Sequence, residues 1–467
     1  MTGTKDTKSK GLPAGLTGWL VSILIPVMIG IIPDNSLYTK PLKLFFMITL
    51  FVICLVAFNL LPLLASAVLL PALYTVSGVV PADTAFGSWT NTTVWMILGA
   101  LVLATVLDEC GLLIRIAYWT IRKCGGTFTR TLYGIFIVGI ILNLITFCNA
   151  FVITMVLVYG ICKAMNLKPS KESALICLAG CCAGVTPSSF LYNPGYVSLM
   201  ETAVQNYIPD YKMGILDMPQ YLWGLILCCV ITLFVLTKLY GAKNMKFEGG
   251  KEYFDMKYKE LGPMSRKEKK GLAIVGILLI YLITTNLTGL PAAYGFMLIP
   301  YLLFVPGISV GNGEMVKKIN FPIIFFIASC LGIGVVGNAV GFGDFIASIA
   351  VPMLAGKSTL TACLAFLAFG AAANLFMTPY AMVGGLSIPF ANVALQLGMS
   401  PAAACMILVF ACDLVFLPHE VAGYLVMYGF GLMPMKEFIK TQSLKSLVML
   451  IVFVCVMFPL WGLMSML

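Results

Sequence analysis

The chain has 467 residues, 60% of them apolar and only 10% charged, and its mean hydropathy lies far above that of a soluble globular protein. Its net charge of +10 comes from Lys and Arg that sit between apolar runs rather than along one polar face, which argues against a nucleic-acid partner and for the positive-inside rule of membrane loops. Apolar runs of 18 or more residues recur to the C-terminus, each long enough to cross about 30 Å of hydrocarbon. A barrel would alternate every second residue instead, so the fold class is an all-α polytopic membrane protein.

In chain order, the opening "MTGTKDTKSKGL" is basic and polar, and the span 14 to 33 behind it has no small-residue cleavage site, so it reads as a retained first helix with a cytoplasmic N-terminus. Spans at 42 to 58, 60 to 80 and 92 to 113 follow, and residues 1–130 form an N-terminal scaffold region. The run 131 to 162 is preceded by Arg115, Arg122, Lys123 and Arg130 and followed by Lys163, Lys168 and Lys171, so both flanks belong to the cytoplasm. It is shorter than the roughly 40 residues that two crossings need. The economical reading is a re-entrant hairpin with its tip near "FCNAF". Spans at 173 to 200 and 219 to 240 complete a first transport region, 131–240. The connection 241–270 is hydrophilic and basic and reads as a solvated cytoplasmic linker, with a calmodulin-like or lipid-binding segment as the alternative.

The second half repeats this order. Spans at 271 to 290, 293 to 309 and 321 to 353 make a second scaffold region, 271–357. The run 358 to 396 has only Lys357 near it until Lys436, so it reads as a second hairpin entering from the opposite face. Spans at 401 to 430 and 441 to 466 close the second transport region, 358–467. This gives about 11 crossings plus two hairpins, with the C-terminus outside. Of the 29 Lys and Arg, only Lys40, Lys43, Lys212 and Lys357 fall on the outer side.

The halves align as an inverted repeat. "VLDECGLLIRIA" matches "VVGNAVGFGDFIA" with Gly111 opposite Gly341 and Ala117 opposite Ala347. Asn149 falls opposite Asn374 at the two hairpins, and Pro187 opposite Pro418 in two helices broken near their middles. Inverted repeats with discontinuous helices are the pattern of secondary transporters, whose sites form at the midplane.

Polar groups at membrane depth are the site candidates, because unpaired groups in hydrocarbon are costly. Asn149 and Asn374 each offer an amide oxygen and two N–H donors, or merely satisfy their own turns. Thr186, Ser188 and Ser189 supply hydroxyls beside Pro187. His419 and Glu420 follow Pro418, and Asp413 lies two helical turns before Glu420; each is a candidate proton carrier, cation ligand or counter-charge. Asp108, Glu109 and Asp344 read as interfacial caps or ion-pair partners. The 15 cysteines include no C-x-x-C, and with a single histidine they read as packing residues, with no metal site or disulfide framework. No nucleotide-binding loop, H-E-x-x-H or nucleophile–base pair is present in the sequence, so an enzyme or a primary pump is not expected, nor is a cofactor beyond sodium ions or protons as coupling ions.

At this point "NTTVWMILGALVLATVLDECGLLIRIAYW" and "LPHEVAGYLVMYGFGLMPMKEFIK" resemble the divalent anion:sodium symporter family of dicarboxylate, citrate and sulfate carriers. The resemblance runs from about residue 59 to the end. It implies a homodimer in the plasma (inner) membrane, scaffold domains against each other, and an elevator-like transport domain carrying both hairpins. Family members hold substrate carboxylates between two Ser-Asn-Thr tips, with sodium ions beside them. The matching positions here are Cys148-Asn149-Ala150 and Ala373-Asn374-Leu375, so both asparagines are kept and all four flanking hydroxyls are absent. The broken-helix loops read Thr186-Pro187-Ser188-Ser189 and Leu417-Pro418-His419-Glu420. The expected function is a secondary active transporter of a small organic anion, di- or tricarboxylate-like, coupled to sodium or protons. The alternative is the same scaffold moving a neutral or cationic solute with Glu420 or Asp413 as counter-charge.

Overall fold

The structure is a computed structural model that describes residues 14–58, 60–124, 127–164, 167–242, 250–288, 290–375 and 377–467. The basic opening dozen and part of the 241–270 connection lie outside these. Among the described residues the chain is helical throughout, without strands. Six helical stretches are long and apolar enough to cross a membrane: Lys40–Ala57, Ala82–Glu109, Phe128–Thr146, Lys171–Gln205, Phe321–Ala339 and Met435–Leu463. Several shorter apolar helices accompany them.

Both predicted hairpins are helix–break–helix units. In the first, helix Phe128–Thr146 turns at Phe147 and Cys148 into helix Phe151–Ala164. The two turn residues have φ of 50° and 67°, the left-handed region, which costs a non-glycine residue on the order of 1 kcal/mol each. In the second, helix Thr359–Asn374 is followed by helix Pro379–Gln396. The repeat is visible in the preceding elements too. Helices Thr92–Glu109 and Leu112–Cys124 bend at Gly111 with φ of 85°, and Phe321–Ala339 and Phe342–Leu354 bend at Gly341 with φ of 77°. Only glycine takes that conformation without a steric penalty, which explains why the two align.

The broken helices also correspond. The first runs Lys171–Gly184, restarts as a single turn at Pro187–Phe190 and continues as Pro194–Gln205. The second runs Pro401–Ala411, passes a 3-10 turn at Pro418–Glu420 and continues as Ala422–Gly429. In each, proline occupies the first position of the restart, where its missing N–H costs nothing. Ser170, Asn193, Ser358 and Ser400 cap the helices that follow them by accepting backbone N–H bonds. In the most apolar 18 residues of the stretch 171–205, 83% of the residues are buried, against 33% for 40–57 and 39% for the corresponding 18 residues of 435–463. The broken helices therefore form the centre of the molecule, with the lipid-exposed helices outside.

The 241–270 connection departs from the expectation of a solvated linker. Residues Gly250–Glu260 form a helix that packs on Leu112–Cys124, with Phe254 buried. Arg115 binds Glu268 at 2.5 Å and donates to the carbonyls of Leu261, Gly262 and Pro263, and Arg122 pairs with Asp255 at 2.9 Å. Basic side chains of the first half thus hold the linker down. Glu109 forms an ion pair with Lys318 at 2.6 Å, and Asp344 accepts from Asn392.

Candidate functional site

The first hairpin tip is built from its own amides. Asn143, one turn before the break, donates through Nδ2 to the carbonyls of Gly139 and Ala183, and its own backbone carbonyl takes the Cys148 N–H at 2.8 Å. The Ala183 bond ties the tip to the first broken helix. That contact is close enough that a methyl group on Gly139 would lie 2.2 Å from the Ala183 oxygen. The Cys148 thiol points to the Pro187 and Tyr192 carbonyls, 3.7 and 3.8 Å away, as a weak donor. Ala150 is fully buried. Asn149 uses Nδ2 to close its turn on the Thr146 and Phe147 carbonyls, and its side chain borders a pocket.

That pocket, about 320 Å³ with its mouth, is lined by Asn149, Asn193, Pro194, Gly195 and Tyr380 on one wall and by Ile97, Ala100, Leu101, Ile323 and Ile327 on the other. The second wall comes from the two glycine-bent helices of the repeat. Tyr380 donates to Asn193 Oδ1 at 3.4 Å and its ring packs on Tyr196, centroids 4.9 Å apart. Among the described residues, no charged side chain lines it. Three helices begin at this pocket, at Phe151, Pro194 and Pro379, so three positive dipole ends meet there.

The second hairpin tip is arranged differently. Asn374 is the last residue of its helix and fully buried; Nδ2 donates to the carbonyls of Cys412 and Leu414 and to Glu420 Oε2, at 3.2, 3.3 and 3.4 Å. Counted from the helix ends, Asn374 corresponds to Thr146, and Asn149 corresponds to Met377. The two asparagines thus occupy different turns of their hairpins, and Asn374 plays the part of Asn143 by tying its tip to a broken helix. Its neighbours Ala373 and Leu375 are half-buried. Glu420 caps the second break, accepting the Phe416 and Leu417 N–H groups at 3.0 and 2.6 Å. Pro418 is buried, and the side chain of His419 lies outside the described residues.

The two breaks meet at a buried lysine. Lys445, from the C-terminal helix, donates to Asp413 Oδ1 at 2.9 Å, Thr186 Oγ1 at 3.0 Å and the Tyr424 hydroxyl at 3.1 Å. The Thr186 hydroxyl donates to Asp413 Oδ1 at 2.9 Å. Lys445, Thr186 and Tyr424 are fully buried and Asp413 is 1% exposed. Ser188 and Ser189 continue the first break, their N–H groups bound to the Val185 and Thr186 carbonyls. Sequence reasoning brought Thr186 and Asp413 forward but missed Lys445, although a lysine inside an apolar span is itself a signal. It also missed Asn143, Asn193 and Tyr380; "YNPGY" carried the Asn-Pro signature of a capped helix start.

At the second hairpin tip and break, Asn374 Oδ1, Thr378 Oγ1 and Asp413 Oδ2 are buried with no hydrogen-bond partner among the described residues, as is Ser387 Oγ further along the hairpin. No group of three His, Cys, Asp or Glu side chains among the described residues could hold a transition metal. The 14 cysteines whose side chains are described are free.

Residues 14–467 match the family described as the sodium:sulfate symporter transmembrane region. The chain belongs to the sodium:sulfate symporter family. A "Membrane protein" of Cupriavidus necator is 24% identical over 282 residues, which cover 56% of this chain and 53% of the relative, so the match spans about half of that protein's length. The fold is shared with the crystal structure of the Alcanivorax borkumensis YdaH transporter, described as having an unusual topology, at a TM-score of 0.55 and 14% identity over 97% of this chain and 98% of that one. The sodium:sulfate symporter family is one of membrane transporters, and this chain, as a member of it, is an integral membrane protein.

Proposed function

We propose that this symporter-family protein carries a small organic anion, of the di- or tricarboxylate kind, in symport with sodium ions or protons by an elevator mechanism. The observation that carries the anion is the meeting of three helix N-termini at a pocket that no charged side chain among the described residues lines, since first-turn N–H groups bind carboxylates without any cation. Asn149, Asn193 and Tyr380 supply the polar contacts, with Cys148, Ala150, Thr186, Pro187, Ser188, Ala373, Asn374, Leu375 and Pro418 shaping the two tips and breaks around them. The neutral or cationic alternative has less support: Asp413 is matched by Lys445 and Glu420 is held by backbone N–H groups, and neither lines the pocket.

For coupling, the free oxygens of Asn374, Thr378 and Asp413 are hard ligands of the type sodium prefers, and Glu420, with His419 and Ser189 beside the breaks, is the group a proton would use. In this reading residues 131–240 and 358–467 move as the transport domain against scaffold regions 1–130 and 271–357, joined by the 241–270 linker. A homodimer in the plasma membrane, with about 11 crossings, two re-entrant hairpins, the N-terminus inside and the C-terminus outside, completes it. The test is uptake of labelled di- and tricarboxylates into proteoliposomes under imposed sodium or proton gradients. Uptake driven by one gradient supports the reading; binding of amines but not acids overturns it.

A further inference from the structure

We propose that the groove between the start of helix Lys171–Gly184, the end of helix Gly224–Leu239 and the start of helix Met435–Val452 binds the phosphate of an anionic phospholipid. The last two helices pack side by side, and the first touches both. Tyr240, at the end of the middle helix, is nearly buried there. The Lys440 Nζ lies 4.7 Å and the Lys171 Nζ 5.6 Å from the centre of its ring. The two ammonium groups therefore stand within about 10 Å of each other at one ring, near enough for a single phosphate to be attracted by both.

The acid at this ring is Glu437, and its carboxylate already accepts the Tyr240 hydroxyl. Lys168, Lys238 and Lys436 lie within four residues of these groups along the chain, and all five lysines are exposed, against the two acids Glu172 and Glu437. Among the described residues the patch thus keeps an excess of positive charge, five lysines against two acids. Its position says which anion fits. Val230, Phe234 and Leu239 on one helix and Ile439, Leu447 and Ile451 on the other are exposed apolar side chains leading away from the lysines. The Lys238 ammonium lies 4.3 Å from the centre of the Phe234 ring, at the border between the two zones. A free phosphate would use only the lysines. A phospholipid uses both, with its headgroup between Lys171 and Lys440 and its acyl chains along the apolar strip.

The test is native mass spectrometry of the full chain in detergent with phosphatidylglycerol or phosphatidylcholine added at equal concentration. The protein should retain phosphatidylglycerol preferentially. The variant Lys171→Gln/Lys440→Gln should bind it about thirtyfold more weakly, from roughly fivefold per lysine near an anionic headgroup. Lys171→Arg/Lys440→Arg should keep the preference, as should Lys317→Gln, an exposed lysine elsewhere. Equal retention of both lipids by the unaltered chain, an unchanged preference in the glutamine variant, or complete displacement of the lipid by millimolar inorganic phosphate overturns the proposal. Should the glutamine variant not fold, loss of preference in the arginine variant overturns it as well.

Discussion

Replacing Lys445 with methionine tests the central knot. At 2.9 Å from Asp413 Oδ1, with an effective dielectric near 20, the ammonium contributes about 6 kcal/mol of attraction. Desolvating the two ions costs several kcal/mol each, so the pair is close to neutral in net stability. Breaking it is another matter. Lys445→Met leaves the Asp413 carboxylate buried with only the Thr186 hydroxyl as donor, at a cost of about 3–5 kcal/mol. With an unfolding entropy of roughly 2.1 cal/mol/K per residue, a chain of this length should lose about 3–5 °C in Tm.

The second variant decides the cause. In Asp413→Asn/Lys445→Met both charges are gone, Thr186 can still donate to the amide oxygen that takes the place of the carboxylate, and stability should return to within about 1 kcal/mol of the starting protein. Thermal unfolding of the four proteins in detergent forms a double-mutant cycle. A single variant within about 1 kcal/mol of the unaltered chain, or a double variant as unstable as the sum of the singles, would refute the claim that Lys445 serves to neutralise Asp413.

Other changes follow from the same geometry. Gly139→Ala puts a methyl group into the Ala183 backbone and should cost about 3 kcal/mol or more, read as a lower Tm and poor yield; a silent substitution would mean the hairpin and broken helix are not in that contact. Burial works to raise the Glu268 carboxyl, and the Arg115 guanidinium and Ser265 N–H more than offset it, holding it below the usual carboxylate range. Its contribution is therefore complete above the unfolded pKa and lost as pH falls through the lower folded value. Below about pH 4 the Tm should drop, and Glu268→Gln should lose that acid dependence while costing about 3 kcal/mol at neutral pH. Tyr380→Phe should weaken anion binding about tenfold with little change in Tm, since it removes one pocket hydroxyl whose only bond is 3.4 Å long, whereas Glu420→Gln should leave anion binding in place and alter the response to sodium or pH in transport assays.

What the sequence discloses here depends on whether a feature is local. The repeat is legible because its signals lie within a few residues: basic flanks and a short length at the first hairpin, the near absence of basic residues around the second, aligned glycines at 111 and 341, and prolines that restart helices at 187 and 418. The pairing of Asn149 with Asn374 was legible only in part. Two tips can share a residue type while the residue sits three positions apart relative to the helix end, and a shift of that size leaves the apolar pattern of both runs intact. The contacts that close the site are less legible still. Thr186 meets Lys445 across 259 residues, and Arg115 meets Glu268 across 153. Read one span at a time, Lys445 is a lone charge in an apolar run, and the linker is a solvated stretch. Only when the two breaks face each other does Asp413 acquire the ammonium that balances its charge through Oδ1, while Oδ2 stays open and Glu420 is held by backbone N–H groups. The same packing brings Asn193 and Tyr380 to the candidate pocket, where helix starts converge rather than where either residue carries a motif of its own.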